Sequence, residues 1–327
     1  MGTIFEGNPG GKKMSEIPQS LFWILIFPGF LFTVVLGLVA SWIVRKTSAL
    51  VQWRVGPPLY QPFVDVMKLM GKEILIPQDA QRTVFLAAPI VGLAGVLLLS
   101  TMLWRITIDP TRPFVGDIIV AIYLMVLPSL ALILGSSASA SPHAAVGASR
   151  EMKLVMSYEL PLVLAFVVVI IKTGGQISLA AIAGHVPVFS VSGILAFLVA
   201  LLCVQAKLGF VPFDIAESDT EVASGVIIEY SGALLAIWKI MQAMMLVALP
   251  LFLVMVFLGG FGTAGWPLVW GIGKYVLVLV LLILIKNTNP RLRIDQAMKF
   301  FWGYCGLTLA IAVILAAMGN FYHIGWL

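Results

Sequence analysis

The sequence has little charge for its length. Asp, Glu, Lys and Arg make up 11% of the 327 residues, whereas apolar side chains make up 61%. A soluble domain of this size could not hide so much apolar surface from water. The mean hydropathy is +1.05, and the apolar runs are continuous rather than alternating. These features predict a membrane protein built from helices rather than a closed barrel.

Motifs for redox and nucleotide chemistry are also missing. The two cysteines, Cys203 and Cys305, lie inside apolar runs, and His143, His185 and His323 are scattered. No G-x-G-x-x-G lies in a βαβ context, and no G-x-x-x-x-G-K-[ST] occurs. We therefore expect no metal or cofactor in this chain, so that any redox centre would belong to partner subunits.

Eight apolar stretches are long enough to cross a bilayer. The predicted spanning helices are 18–44, 82–104, 116–135, 152–172, 190–208, 223–257, 267–286 and 297–319. Lys and Arg concentrate in the loops after the first, third, fifth and seventh of these, which places that side in the cytoplasm and both termini outside. The prediction is an all-α polytopic membrane protein whose single integral membrane domain covers residues 1–327.

An amphipathic helix is predicted at about residues 60–73, between the first two spans. Phe63, Val66, Met67 and Met70 recur at helical spacing and form one apolar face, while charged residues fall on the other faces. This pattern is typical of a helix that lies on the cytoplasmic membrane surface. A plain surface anchor is the alternative interpretation.

The loop at about 209–222 is unusually acidic. If this stretch is helical, Glu217 and Glu221 share a face, and Glu229 lies about 12 Å deeper at helical rise. Like charges at that spacing repel and favour a shared proton. The sequence therefore predicts a descending row of carboxylates. The alternative, which also covers Asp214 and Asp219, is a solvated loop that binds basic residues of a partner.

Two further charges fall inside predicted spans. Glu159 lies in the span 152–172, and Lys239 lies several turns into the span 223–257. A charge at the bilayer centre costs about 2.5–3.5 kcal/mol on insertion scales, so we expect an acidic partner for Lys239. Structural ion pairs are one explanation. The second explanation is a hydrated path for protons or ions, and the alignment of several charges from one face favours it.

Short motifs along nearly the whole chain resemble those of a known family. In order they are RVGP (Arg54–Pro57), QPFVDVMKL (Gln61–Leu69), KE (Lys72–Glu73), GASR (Gly147–Arg150), SYE (Ser157–Glu159), PFDIAESDTE (Pro212–Glu221), SG (Ser224–Gly225) and EY (Glu229–Tyr230). They resemble the complex I subunit 1 family, also called the H-subunit family, the membrane subunit that docks the peripheral arm of respiratory complex I.

Two departures refine this resemblance. The join between the RVGPP turn and the QPF helix is short, and Gln242 stands where quinone-reducing members tend to carry a glutamate. Both features depart from the quinone-reducing members. The short join resembles the homologous membrane subunit of energy-converting membrane-bound [NiFe] hydrogenases and their sulfur-reducing relatives.

The resemblance implies a connector in a prokaryotic plasma membrane, with no catalysis by the chain alone. Its partners would be a hydrophilic iron–sulfur subunit and a large hydrogenase-like subunit, which would hold iron–sulfur clusters and could hold a NiFe centre, together with antiporter-like and small membrane subunits. Docking, or a quinone-like chamber, is implied for Arg54, Gly56, Pro57, Gln61, Asp65, Lys68, Lys72, Glu73, Arg150 and Asp219. Coupling of electron transfer to ion movement is implied for Asp214, Glu159, Glu217, Glu221, Glu229 and Lys239.

Two other functions stay open at this point. The first is the quinone-site subunit of an NADH or ferredoxin:quinone oxidoreductase. The second is a stand-alone secondary ion transporter, although such transporters usually show repeated halves with broken helices, and no such repeat is visible here.

Overall fold

The computed structural model describes residues 22–110, 117–262, 265–322 and 324–326. Within these ranges the chain is helical and no strand is present. The α-helices of six residues or more are α1 (Phe30–Val51), α2 (Gln61–Met70), α3 (Arg82–Ile108), α4 (Asp117–Ser137), α5 (Pro142–Lys172), α6 (Val191–Lys207), α7 (Gly232–Phe257), α8 (Trp266–Thr288), α9 (Ile294–Lys299) and α10 (Gly306–Phe321). A π-helical turn, Phe300–Cys305, joins α9 to α10. The start of the predicted first span, 18–21, lies outside the described residues.

Seven helical stretches in the described part of the chain are long and apolar enough to cross a membrane. They contain α1, α3, α4, α5, α7, α8 and the α9–α10 unit. The remaining predicted span corresponds to α6, which is apolar but shorter, at 17 residues. The all-helical membrane fold is therefore confirmed, while the eighth span and the outside location of both termini stay predictions.

Helix α7 is the centre of the bundle. Its most apolar window is 94% buried inside the protein, as expected for a helix that is apolar on all sides. Helix α1 crosses it closely at Gly37, where a Cβ atom would collide with the backbone of Ala243. Small residues at such crossings let helix backbones approach in a membrane bundle.

The start of α7 differs from the prediction, which began this span at residue 223. Ala223, Ser224 and Gly225 all have positive φ angles, of 50°, 72° and 41°. Left-handed backbone cannot continue a right-handed helix, so a short helical turn ends there and α7 begins only at Gly232. The apolar residues that follow Gly225 therefore form a 3₁₀ turn rather than membrane helix.

Helix α5 begins at Pro142 rather than at residue 152. Ser141 precedes it in extended conformation, and proline is favoured in the first turn because its missing N–H would be unpaired there anyway. The GASR motif therefore lies inside α5. Gly147 packs directly against the backbone of Gly225 and Val226, which joins α5 to the turn before α7.

The predicted amphipathic helix is present as α2, residues Gln61–Met70. Its side chains Pro62 and Val66 face inward, whereas Met67 and Met70 are exposed. The chain after α2 then runs against the start of α7, where the N–H of Leu75 donates to Ser231 Oγ at 2.9 Å. This contact fixes the position of α2 relative to the central helix.

Candidate functional site

A cavity of about 340 Å³, here called the chamber, lies between α1, α2, α7 and the turn 208–210. Its volume is at the lower end of the roughly 300–1,000 Å³ that is typical of small-molecule sites. The polar side chains in its wall are Ser41, Arg45, Asp65, Glu217, Lys239, Gln242 and Lys286. The chamber therefore brings Asp65, a predicted docking residue, to the same space as Glu217 and Lys239, two predicted coupling residues.

A second cavity of about 40 Å³, here called the inner cavity, adjoins the chamber. The two cavities share Leu208, Gly209, Glu217 and Gln242 in their walls. The other polar side chains of the inner cavity are Ser129, Glu151, Lys207 and Asp214. Its volume exceeds the roughly 10–15 Å³ that one water needs, and its polar lining supplies hydrogen-bond partners for water.

A hydrogen-bonded row connects the two cavities across α7. Lys239 Nζ donates to Gln242 Oε1 at 3.3 Å, and Gln242 Nε2 donates to Glu217 Oε1 at 3.0 Å. We expected an acidic partner for Lys239, and the structure places one amide between the two charges. The neutral Gln242 side chain thus lies between the Lys239 cation and the Glu217 carboxylate and is hydrogen-bonded to both.

The deepest charged pair joins α6 to α5. Lys207 Nζ lies 2.5 Å from Glu159 Oε1 and 3.1 Å from the backbone oxygen of Met125. It also lies over the ring of Tyr158, 5.2 Å from the centroid. The Lys207 side chain is 0% exposed. Glu159 therefore lies inside the bundle, as predicted, with a cationic partner supplied by the end of α6.

Two acids of the 209–222 loop form ion pairs with distant arginines. Arg150 on α5 lies 2.5 Å from Glu221, and Arg291, just before α9, lies 2.8 Å from Asp214. Arg291 also donates to Ser218 Oγ at 3.1 Å. Burial raises the pKa of Asp214 above its usual value, and the Arg291 guanidinium opposes that rise. These bonds hold the loop against the bundle.

The predicted row of Glu217, Glu221 and Glu229 along one helix is wrong. Glu217 precedes the short helix Asp219–Val222, and Glu229 lies in the turn before α7. The left-handed residues between them change the chain direction, so the three carboxylates do not share a helical face. Glu217 faces both cavities, Glu221 pairs with Arg150, and Glu229 is half-buried. Their role in coupling stays a prediction.

Asp65 is the centre of the predicted docking region on α2. It accepts a hydrogen bond from Gln61 Nε2 at 2.8 Å and pairs with Arg45 of α1 at 3.0 Å. These contacts attach α2 to the first span. The carbonyl oxygen of Pro57 also accepts from Trp42 Nε1 at 3.1 Å, which attaches the preceding turn to the same helix.

Other predicted docking residues lie at the surface. Arg54, Lys68, Lys72 and Glu73 are exposed on either side of α2. Gly56 has a φ of 72°, a left-handed conformation that glycine adopts without strain, in the turn that leads to α2. The side chain of Asp219 lies outside the described part of the structure.

Several site residues were missed at the sequence level. The sequence patterns select none of Arg45, Glu151, Lys207, Lys286 and Arg291 as site residues, since these lysines and arginines serve there only as a sign of membrane topology. Their contacts come from distant parts of the chain, since Lys207 and Glu159 are 48 residues apart. No local spacing pattern could have paired them. The only available signal was that Lys207 ends an apolar helix that contains no other charge.

Comparison with known proteins identifies the family. A family model described as NADH dehydrogenase matches residues 23–318. The chain belongs to this family, that of complex I subunit 1. It is therefore an integral membrane protein of this type, and the resemblance found from the motifs is confirmed.

Relatives from bacteria align over most of their length. The H subunit of the NADH-quinone oxidoreductase of Dehalococcoides mccartyi (strain CBDB1) is 32% identical, covering 91% of this chain and 88% of the relative. The protein of the same name from Geobacillus kaustophilus (strain HTA426) is 31% identical, covering 97% and 98%. A chain of the membrane-bound sulfane sulfur reductase, an archaeal respiratory membrane complex, is similar in structure. Its TM-score is 0.82 at 27% identity, covering 91% of this chain and 99% of that one.

The polar side chains of the two cavities are charged or hydrogen-bonding groups rather than clustered metal ligands. Across the described ranges, no group of three or more His, Cys, Asp or Glu side chains is arranged to hold a metal ion. Cys203 and Cys305 are both buried thiols. The site instead offers carboxylates next to lysines and arginines, lined up along two adjoining cavities. Such an arrangement can shift charge or relay protons.

Proposed function

We propose that this chain is the membrane connector subunit of an ion-translocating respiratory redox complex. In this role it docks a peripheral arm, made of a hydrophilic iron–sulfur subunit and a large hydrogenase-like subunit. It couples electron transfer in that arm to proton or sodium movement through antiporter-like membrane subunits. The complex would lie in a prokaryotic plasma membrane. The observation that carries the proposal is the polar track from the chamber to the Lys207–Glu159 pair.

The track supplies a physical route for coupling. Its first members, Arg45 and Asp65, line the chamber beside α2. The Gln242-bridged row leads from there to Glu217, which also faces the inner cavity where Lys207 lies. Charges interact more strongly in a partly buried site than in water, so a charge change in the chamber alters the protonation energy of the next carboxylate. Coupling of this kind is a free energy between two sites.

The surface around α2 supports the docking role. Trp53 and Val55 are 99% and 85% exposed, and they flank Arg54. Exposed apolar side chains beside charged ones are typical of protein–protein contacts. Lys68, Lys72 and Glu73 extend the same surface with both signs of charge. A hydrophilic partner that covers this surface would also close the chamber from above α2.

The sharpest test of coupling is Glu217→Gln in the assembled complex. Gln keeps the shape and the hydrogen bond to Gln242 but cannot carry charge or exchange a proton. We expect assembly to persist, while ion uptake per electron, or turnover where the two are tightly linked, falls at least severalfold. The measurement is ion uptake into proteoliposomes alongside redox turnover.

Asp295→Asn is the matched control, because Asp295 is 59% exposed and lies outside both cavities. It should leave the ratio of ions to electrons unchanged. A Glu217→Gln complex that pumps at the normal ratio and rate would refute the carboxylate path. Glu217 would then serve only to hold Gln242.

The second candidate function is the quinone-site subunit of a quinone oxidoreductase. The volume of the chamber favours it, as do the names of the bacterial relatives. The same preparation decides between the two when it is supplied either with reduced ferredoxin or with NADH plus quinone. We expect reduction of protons or sulfur compounds from the low-potential donor. Robust quinone reduction that a quinone-site inhibitor blocks would favour the quinone-site function over the hydrogenase-type connector.

A further inference from the structure

The chamber wall has an excess of basic side chains, and one of them, Lys286, has no place in the proposed coupling route. Its basic residues are Arg45, Lys239 and Lys286, and its acidic residues are Asp65 and Glu217. Both acids already accept hydrogen bonds, Asp65 from Gln61 and Arg45 and Glu217 from Gln242. Three basic side chains face two acidic ones, so the wall keeps an excess of positive charge.

Lys286 and Lys239 are the two chamber cations that form no ion pair among the described residues. Lys286 Nζ lies over the ring of Phe210, 4.5 Å from the centroid. The carboxylate of Asp214 interacts with Lys286 electrostatically, but it is already paired with Arg291 at 2.8 Å. An anion in the chamber would meet Lys286 and Arg45 together.

Lys286 and Arg45 lie close to the ends of their helices. Lys286 is two residues before the end of α8, and Arg45 is six residues before the end of α1. At a rise of 1.5 Å per residue, they lie about 3 Å and about 9 Å from the helix ends. The interfacial layer on each side of a bilayer is about 5–8 Å thick. With the ends of α1 and α8 placed at the membrane surface, the two cations fall near the boundary between headgroups and hydrocarbon.

The rest of the chamber wall is apolar. Leu38, Val44, Val66, Leu69 and Leu246 face the same space, and they extend along α1, α2 and α7. A ligand that fits both parts of the wall has an anionic end and a hydrocarbon end. Inorganic anions satisfy only the first part, and neutral amphiphiles satisfy only the second.

We propose that the chamber binds an anionic membrane phospholipid, with its phosphate between Lys286, Arg45 and Lys239 and an acyl chain against the apolar wall. Basic pockets between membrane helices near the headgroup layer are general sites for anionic lipid headgroups. The bound lipid would fill the space beneath α2 and hold this helix against α1. This binding does not depend on the proposed coupling role, and it is measured without redox activity.

The test uses the full chain in its native complex, stripped of lipid by detergent exchange. The complex is incubated with phosphatidylglycerol, phosphatidylcholine or inorganic phosphate, and native mass spectrometry counts bound lipid per complex. We expect phosphatidylglycerol to be retained in preference to phosphatidylcholine. Lys286→Gln should weaken phosphatidylglycerol binding about fivefold, since one basic residue near an anionic lipid contributes about that factor. Lys286→Arg should preserve it.

The matched control is Lys299→Gln, which removes one exposed lysine at the end of α9, outside the chamber. It should leave retention unchanged. Equal retention of both lipids would overturn the proposal, as would displacement of phosphatidylglycerol by millimolar inorganic phosphate alone or by a short-chain quinone. If Lys286→Gln does not assemble, the lipid preference of the unmodified complex decides, and a preference below about twofold would contradict the proposal.

Discussion

Two ion pairs of the protein have the same chemistry in different surroundings. In the bundle, the side chain of Lys207 is 0% exposed and that of its partner Glu159 is 20% exposed. At the α1–α2 contact, the side chains of Arg45 and Asp65 are 46% and 36% exposed. The first pair has lost most of its solvation, whereas the second keeps much of it. Their free energies must therefore differ, although their geometries are similar.

The difference shows what each pair is suited for. Removing two charges from water costs several kcal/mol per ion, and mutual attraction compensates only when the remaining hydrogen bonds are satisfied. The backbone oxygen of Met125 and the ring of Tyr158 supply that support to Lys207. A well-packed apolar pair would hold α5 and α6 together at no such cost. The buried pair is therefore a better candidate for coupling than for stability, and the exposed pair is a local clamp for α2.

Removal of Lys207 should have the largest effect. Lys207→Met leaves the Glu159 carboxylate without its cation inside the bundle, which we expect to destabilise the protein by about 3–5 kcal/mol. The measurement is the thermal unfolding of the purified complex in detergent, followed by intrinsic fluorescence.

The double variant Lys207→Met with Glu159→Gln is the control for this experiment. It removes both charges together, so most of the lost stability should return. Arg45→Met supplies the comparison at the surface and should cost far less. If Lys207→Met and Arg45→Met lower the unfolding temperature equally, burial does not distinguish the two pairs.

The Asp214–Arg291 pair should lie between these extremes. The side chains of Arg291 and Asp214 are 41% and 14% exposed, so solvent screens the arginine, and we expect Arg291→Gln to cost only about 1 kcal/mol. The matched control is Arg293→Gln, because Arg293 is 76% exposed and lies 3.8 Å from Asp295. That change should have almost no effect on unfolding.

This intermediate effect should depend on pH. Burial raises the pKa of Asp214 in the folded protein, so the stability that this group contributes is full below the unfolded value of 3.8 and falls as pH rises through the folded pKa. Arg291 lowers that pKa and so limits the loss. Without it, the folded pKa rises further. Arg291→Gln should therefore destabilise more near pH 7 than near pH 4. A cost that is equal at both values would contradict this account.

The sequence could predict the membrane fold because long apolar runs have one physical outcome in a bilayer. The same reasoning misplaced two helix starts. The first turns of α5 contain Ser149, Arg150 and Glu151, and this polar composition was interpreted as a loop. At α7 the sequence predicts a helix start that is too early. The apolar run after Gly225 is typical of a membrane helix, but Ala223, Ser224 and Gly225 have left-handed backbone that stops the helix there. Hydropathy reports on environment and says little about backbone conformation.

The site was only partly predictable for a related reason. Glu159, Glu217 and Lys239 were selected as costly charges near or within the membrane, and the structure places Glu217 and Lys239 in cavity walls and Glu159 beside Lys207. Their partners were not predictable. Arg150 and Glu221 are 71 residues apart, and the helix face assumed for the acids does not exist. Charge type and depth can be inferred from one sequence, but pairing requires the tertiary fold.

The smallest effect should come from the exposed Arg45–Asp65 pair. Arg45→Gln leaves Asp65 with its hydrogen bond from Gln61, and water can solvate the carboxylate, so we expect a loss of about 0–1 kcal/mol. Because the pair is open to solvent, added salt should screen that loss further. A double-mutant cycle with Asp65→Asn measures the interaction directly, at low and at high salt. A coupling energy above about 2 kcal/mol that salt does not reduce would mean that the α1–α2 contact is shielded from water in the native complex, where a partner protein covers α2.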